Sequence, residues 1–472
     1  MPITFCGRRE WRARCAPIAL VAFAAMLAAA PAQPATFVVK TLSDAATAPP
    51  DSLRWALEQA NASPGPHTIT FEVSGSIVMV APLPDWTETL TIDGTGRRIT
   101  IDGANRFRMF INYTGKGLTL RNLTLTRANC NESSAATPSS SGDCASGGSS
   151  AQGAAVFASG PLRIENTTIT GNQGEYGIVS LAQQTGDTSV PASLLNSTIA
   201  NNRSASSGAV AVTGGRLNIV NSTLSGHTDP AGTPAASLFI AGRGSARLSN
   251  TVFSGPGCGN ANAPEDLIDA GGNLAEDMSC AFTQSSSLQG TLAQLFPLGD
   301  NGGDTFTMKP RTGSPAIDQG VNALAVAAPG TAALSTDQRG LPRISPSGGR
   351  VDRGSVEVQA PATCTAVATP NTLWAPNRKL VDIVVKVTAS LGASWTLRSV
   401  TSSEPDAGMG RDDLPADIQG WTLGTADAAG RLRAERNGAA SRVYTLTYAV
   451  SDAAGGAGSC QALIQVPANQ RR

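Results

Sequence analysis

Five short stretches of this chain share one register: "GLTLRNLTLT", "PLRIENTTITGN", "ASLLNSTIANN", "RLNIVNSTLSGH" and "ARLSNTVFSG". Aligned, they place Asn122, Asn166, Asn196, Asn221 and Asn250 at equivalent positions, 44, 30, 25 and 29 residues apart. Other short β-like runs lie between them: "GAAVFAS", "GIVSLA", "GAVAV" and "ASLFIA". A period of about 22–30 residues marks a solenoid, and three strands per period fit a parallel β-helix. One such unit cannot bury its own apolar face. Stacked units bury a continuous column of Leu, Ile and Val, with alternate residues of each strand pointing inward.

The repeated asparagine has two readings. Asn166, Asn196 and Asn221 each open an Asn-x-Thr triplet, the acceptor pattern for N-glycosylation. A sharp bend between strands also favours Asn, which enters the left-handed backbone region at less cost than most residues. Its amide can bond to the Asn of the next coil, which would make a ladder. Asn250 separates the readings, because it keeps the register but is followed by Thr-Val. The asparagines are therefore expected to be structural turn residues.

Composition narrows the class. Lys+Arg and Asp+Glu both number 35, so the chain lacks the positive excess of a general nucleic-acid or anionic-membrane binder. Only 15% of residues are charged and 50 are Gly, the profile of a turn-rich all-β protein. Residues 1–32 read as a secretory signal, with Arg8, Arg9, Arg12 and Arg14 ahead of an apolar run ending in small residues. An N-terminal membrane anchor is the other reading, but the run is short for a span. No later segment is expected to cross a bilayer as a helix. A secreted, extracellular, cell-surface or periplasmic location follows.

Six cysteines remain after that segment, an even number that points to disulfides. Fifteen connectivities are open to six cysteines. Sequential pairing is the simplest, joining Cys130 to Cys144, Cys258 to Cys280 and Cys364 to Cys460.

Two segments resemble a known group. "DSLRWALEQANASPGPHTITFEV", with Asp51 or Ser52 as helix N-cap, resembles the N-terminal cap of secreted bacterial right-handed β-helix proteins of the polymorphic outer-membrane-protein-like kind. His67 stands where that group usually has Asp. "GDNGGDTFTMKPRTGSPAIDQG", "TDQRGLPR" and "VDRGSVEV" resemble the choice-of-anchor Q domain that closes such β-helices. The tail, with "CTAVATPNTLWAPNRKLVDIVVKV" and "RVYTLTYAV", resembles Ig-like modules of secreted bacterial proteins. The resemblance implies an all-β chain: a right-handed parallel β-helix, a pectin-lyase-like solenoid, followed by a C-terminal Ig-like β-sandwich. The expected divisions are a cap at 36–75, coils at 76–290, a closing region at 291–360 and the sandwich at 361–472.

Chemistry is harder to find. Glycosidases need two placed carboxylates. Between Gly117 and Gly255 the acidic residues are Glu132, Asp143, Glu165, Glu175, Asp187 and Asp229, none adjacent and none recurring in register. His67 and His227 are the only histidines, and His227 aligns with the turn residues Asn172 and Asn202. Asp318, Asp337, Arg339, Asp352 and Arg353 belong to the closing motif, where Asp–Arg pairs and turn caps would lock the solenoid end. Glu404, Asp406, Asp412, Asp413 and Asp417 crowd one loop of the tail and could hold calcium, although the spacing is not that of an EF-hand. A plain solvated loop is the alternative. No catalytic residue can be named.

The expected function is non-catalytic adhesion or glycan binding, with an extracellular polysaccharide or a host or cell surface as partner and no nucleic acid. A polysaccharide lyase or glycoside hydrolase and a structural spacer are the alternatives. Carboxylates converging in one groove would favour the enzyme. A smooth face of Ser, Thr and Asn would favour binding.

Overall fold

The computed structural model describes residues 33–45, 47–130, 152–183, 191–259, 264–327, 330–390, 392–408, 413–452 and 456–468. The leader at 1–32, Cys144 and Asp412 lie outside the described residues, and so does the Cys130–Cys144 pairing. Among the described residues the chain is all-β, and its one α-helix is Leu53–Asn61. No described helix is long and apolar enough to cross a membrane.

The first part builds three parallel sheets of 13, nine and three strands. Each strand pairs with the equivalent strand one repeat away, as Leu162–Glu165 does with Leu118–Arg121 and Ala192–Leu195. This arrangement is compatible with a parallel β-helix. Alternation decides what points inward. Ile69, Ile92, Leu120, Ile164, Leu194, Ile219 and Leu248 stand in register across the largest sheet. Ile77, Ile101, Leu125, Ile169, Ile199, Leu224 and Phe253 do so in the nine-stranded sheet. All fourteen belong to one buried cluster. Burial of whole Ile or Leu side chains stabilises by roughly 1.5–3 kcal/mol each, so these columns dominate the stacking.

The helix covers the first repeat. Ser52 is its N-cap, and the Ser52 hydroxyl accepts from Trp55 N at 3.1 Å. Leu53, Ala56, Leu57 and Ala60 form its buried face.

Between the two large sheets the chain bends at Asn122, Asn166, Asn196, Asn221 and Asn250. Each has φ between 44° and 53°, the left-handed region. Among these five, one direct bond between side-chain amides is described, from Asn250 Nδ2 to Asn221 Oδ1 at 3.4 Å. The side-chain ladder lies one residue later. Thr167 N donates to Ser197 Oγ at 3.1 Å and Ser197 N to Ser222 Oγ at 3.2 Å. Thr251 N donates to Asn273 Oδ1 at 2.9 Å, and Asn273 N to Ser287 Oγ at 3.1 Å. At the bend the backbone N–H leaves the sheet ladder, and a side-chain oxygen from the next repeat replaces the lost acceptor.

A second ladder runs inside the next bend. Asn172 N and Nδ2 both donate to Asn202 Oδ1 at 3.0 Å, and Asn202 N donates to His227 Nδ1 at 3.4 Å. His227 thus extends the ladder of the turn residues Asn172 and Asn202 and is buried like them.

Residues 300–327 and 330–355 lie along the flank of the stacked repeats, over the asparagine bends, rather than only across their end. Thr305 Oγ1 donates to Asn166 O, Asn196 Nδ2 to Thr336 O, and Asn221 Nδ2 to Asp352 O, at 3.1, 2.8 and 3.2 Å. Val321 N donates to Asn250 Oδ1 at 2.7 Å. The amides of Asn196, Asn221 and Asn250 are drawn to this segment, which explains why only the Asn250–Asn221 pair also bonds directly. Asn196 and Asn221 are 2% and 0% exposed, so the folded chain has no space there for a glycan. Asn196→Ala should cost about 1–2 kcal/mol, from left-handed strain and the lost bond to Thr336. Urea unfolding checks this, and unchanged stability would count against a structural role.

The C-terminal part is built of two antiparallel sheets of four and three strands. Their core includes Ile383, Leu397, Leu432, Tyr444, Leu446, Tyr448 and Ile464. Disulfides join Cys258 to Cys280 and Cys364 to Cys460.

Candidate functional site

The closing motif assembles a buried charge network. Both oxygens of Asp337 accept backbone N–H groups, and Oδ2 also takes Arg339 Nη2 at 2.7 Å. Asp352 accepts from Asp318 N at 2.7 Å and Val358 N at 2.6 Å. Glu357 accepts from Asp352 N at 2.8 Å and Ser345 N at 3.1 Å. Carboxylate oxygens of Asp318, Asp352 and Glu357 lie within 4.8 Å of one another. The buried pair commits every oxygen to a backbone donor. Arg343, itself 1% exposed, supplies a positive charge beside Glu357, Asp337 and Asp352. The arrangement is that of a turn lock, in which each oxygen of Asp352 and Glu357 accepts one backbone N–H.

Its protonation is unusual. Burial, reinforced by the Asp352 charge, pushes Glu357 up to about 8. Burial also raises Asp352 to about 6. The folded state therefore holds these protons at pH values where the unfolded chain has released them. Their contribution to stability is complete below about pH 4, the ordinary carboxylate range. It is lost as pH rises through about 6 for Asp352 and about 8 for Glu357. Tm should fall across this range. Glu357→Gln should flatten the upper part, and an identical pH profile in the variant would contradict the assignment.

The acidic loop of the tail does not converge on one point. Glu404 accepts from Asn437 N at 2.9 Å and Gly438 N at 3.1 Å. Asp406 accepts from Ala416 N at 2.9 Å and Asp417 N at 2.6 Å. Asp413 takes Asn437 Nδ2 at 2.7 Å. Asp417 is fully buried between Arg433 and Arg442. These carboxylates cap turns and pair arginines. Among the described residues they do not form a shared cation cage.

Along the repeats, Asp93, Arg121, Glu165 and Arg163 form a surface chain of ion pairs at 3.0–3.2 Å. The histidines are structural. His67 Nε2 lies 2.8 Å from Ser63 O, and burial drives His227 down to about 3, so it stays neutral.

The open feature is a row of hydroxyls on the outward face of the nine-stranded sheet. Ser76, Thr100, Thr124, Thr168, Thr198 and Thr223 stand in register on successive strands. The last three are covered by the flank segment. Thr168 Oγ1 donates to Phe306 O at 2.5 Å, Thr198 bonds Gln338 Oε1 at 2.6 Å, and Thr223 accepts from Ser355 N at 3.0 Å. The first three face a groove of about 400 Å³, bounded by Arg98, Asp300, Asp304 and Phe306. The Phe306 ring is 43% exposed there.

Asp300 in this groove is engaged through both oxygens, and Asp304 through one. Asp300 is clamped by Arg98 through two bonds of 2.5 and 2.9 Å, and this pairing holds its carboxyl below the usual range. Asp304 Oδ2 accepts from Gly96 N at 2.8 Å. An acid held in the ionised form by a bidentate arginine is a poor proton donor.

The sequence reading missed this groove. The alternation within "ITID" and "LTLT" carries half the signal, because it places Thr100 and Thr124 on one face. Asp300, Asp304 and Phe306 arrive from about 200 residues away and have no periodic mark. Compared with protein-family models, curated proteins and solved structures, the chain matches none.

Proposed function

We propose that this is a secreted or cell-surface, non-catalytic glycan-binding protein. In this reading a capped right-handed parallel β-helix at 36–290 carries the binding face, and a choice-of-anchor Q-like region at 291–360 covers the rest of its hydroxyl row. The tail, 361–472, is an Ig-like sandwich acting as a spacer or second attachment module. The observation that carries the reading is the groove lined by the row Ser76–Thr100–Thr124, exposed at Ser76, half-buried at Thr100 and buried at Thr124, beside the exposed Phe306 and an arginine–aspartate clamp.

The chemistry suits a polysaccharide. Successive hydroxyls in a parallel sheet repeat at about 4.8 Å and offer both donors and acceptors. An aromatic face supplies an apolar platform for a sugar ring. The tied carboxylates support binding without hydrolysis or elimination.

The test is to incubate purified protein with a panel of neutral and acidic polysaccharides and follow both retention and products. Saturable retention without new reducing or unsaturated ends is expected. Turnover abolished by Asp304→Asn would sink the non-catalytic reading.

A further inference from the structure

A second cavity lies on the other large sheet, between its outward face and Ala323, Leu324, Val326, Ala327, Gly330 and Thr331. Its volume is about 330 Å³, at the lower end of the range for small-ligand pockets. Asn218 and Arg247 are paired neighbours on adjacent parallel strands, and both line it. Ser249 and Val220 continue the floor, and Leu324 and Val326 form the opposite apolar wall.

Two side chains here are unspent. Asn218 is 4% exposed, and its Oδ1 is buried with no hydrogen-bond partner. A buried unpaired carbonyl carries a desolvation penalty that a donor from a ligand would remove. Among the described residues the Arg247 guanidinium meets no carboxylate, while Arg121 and Arg163 on the same face are both paired. Arg247 is only partly exposed, so its charge stands at the mouth of the cavity rather than in open solvent.

We propose that this cavity binds a small polyhydroxylated carboxylate, a sugar acid, free or as the terminal residue of a chain. The carboxylate sits in the two-pronged guanidinium of Arg247. A ring hydroxyl donates to Asn218 Oδ1, a second reaches Ser249, and the C–H face of the ring rests on Leu324 and Val326. This site is separate from the Ser76–Thr100–Thr124 groove and does not depend on it.

The experiment is calorimetric titration of the full chain with glucuronate, glucose, acetate and a short polyuronate. Glucuronate should bind at least tenfold more tightly than glucose or acetate. Arg247→Gln should lose at least tenfold in affinity at unchanged Tm. Asn218→Leu should also lose affinity while Tm stays equal or rises, because the unpaired buried oxygen is gone. A structural role for Asn218 would lower Tm instead. Thr100→Arg, which blocks the other groove, should leave glucuronate binding intact. Tighter binding per chain end of the polyuronate would assign the site to a terminal residue, and equal binding to the free acid. Absence of glucuronate binding, equal binding of acetate or glucose, or full affinity in Arg247→Gln would overturn the proposal.

Discussion

Arg54→Ala is expected to cost about 3–5 kcal/mol, because it strands a buried carboxylate. Arg54 holds Asp44 through Nε at 2.9 Å and Nη2 at 2.8 Å. The same guanidinium donates to Pro82 O at 2.5 Å and Ala81 O at 2.8 Å. Both residues are 5% exposed or less. Without Arg54, Asp44 keeps the bond from Val80 N as its remaining described partner. The helix, the first strands and the segment near Val80 then lose their common tie. Urea unfolding measures the loss, and a loss under about 1 kcal/mol would mean that water enters and solvates Asp44. Arg54→Lys should recover little, since an ammonium cannot reproduce the fork.

Arg442→Ala is the second large effect, at about 3 kcal/mol, the lower end for breaking a buried ion pair. Arg442 and Asp417 are both fully buried, 2.7 Å apart. Arg442 Nε also donates to Ser402 Oγ at 2.8 Å, and the guanidinium lies 4.7 Å from the centre of the Tyr444 ring. Asp417 retains Arg433, which limits the damage. Trp395 packs on Tyr448 in this core, so tryptophan fluorescence follows its unfolding. The antiparallel part should unfold earlier while polysaccharide retention by the Thr100 groove persists at lower temperature. Loss of retention in the folded variant would assign binding to the tail.

Local periods made part of this structure readable in advance. The helix was readable from the N-cap offered by Asp51 or Ser52 in "DSLRWALEQAN", and the inward columns from alternation in runs such as "LRI" and "LNIV". The bends were readable because few residues accept a positive φ, and Asn recurred where one was needed. The runs Thr167–Ser197–Ser222 and Thr251–Asn273–Ser287 were not. Ser and Thr are common on any β surface, and a one-residue offset matters only once the bend fixes where each side chain points. The amide of Asn196 bonds to Thr336, 140 residues later, in a turn-rich segment whose sequence has no period to reveal what it covers. The Arg98–Asp300 clamp spans 202 residues. Charge alone could not separate its closed carboxylate from a catalytic one. The acidic loop near Glu404 shows the same limit, since its carboxylates were visible but their backbone partners were not.

We propose that one row of hydroxyls has two fates: structural where the flank segment covers it, ligand-binding where it does not. Polysaccharide retention by Thr100→Arg against the unmodified chain, with Tm measured alongside, tests this most directly. The long side chain would fill the open groove without touching the covered row. Retention should fall at least tenfold while Tm stays within a few degrees. Undiminished retention would place binding elsewhere on the molecule and contradict the account.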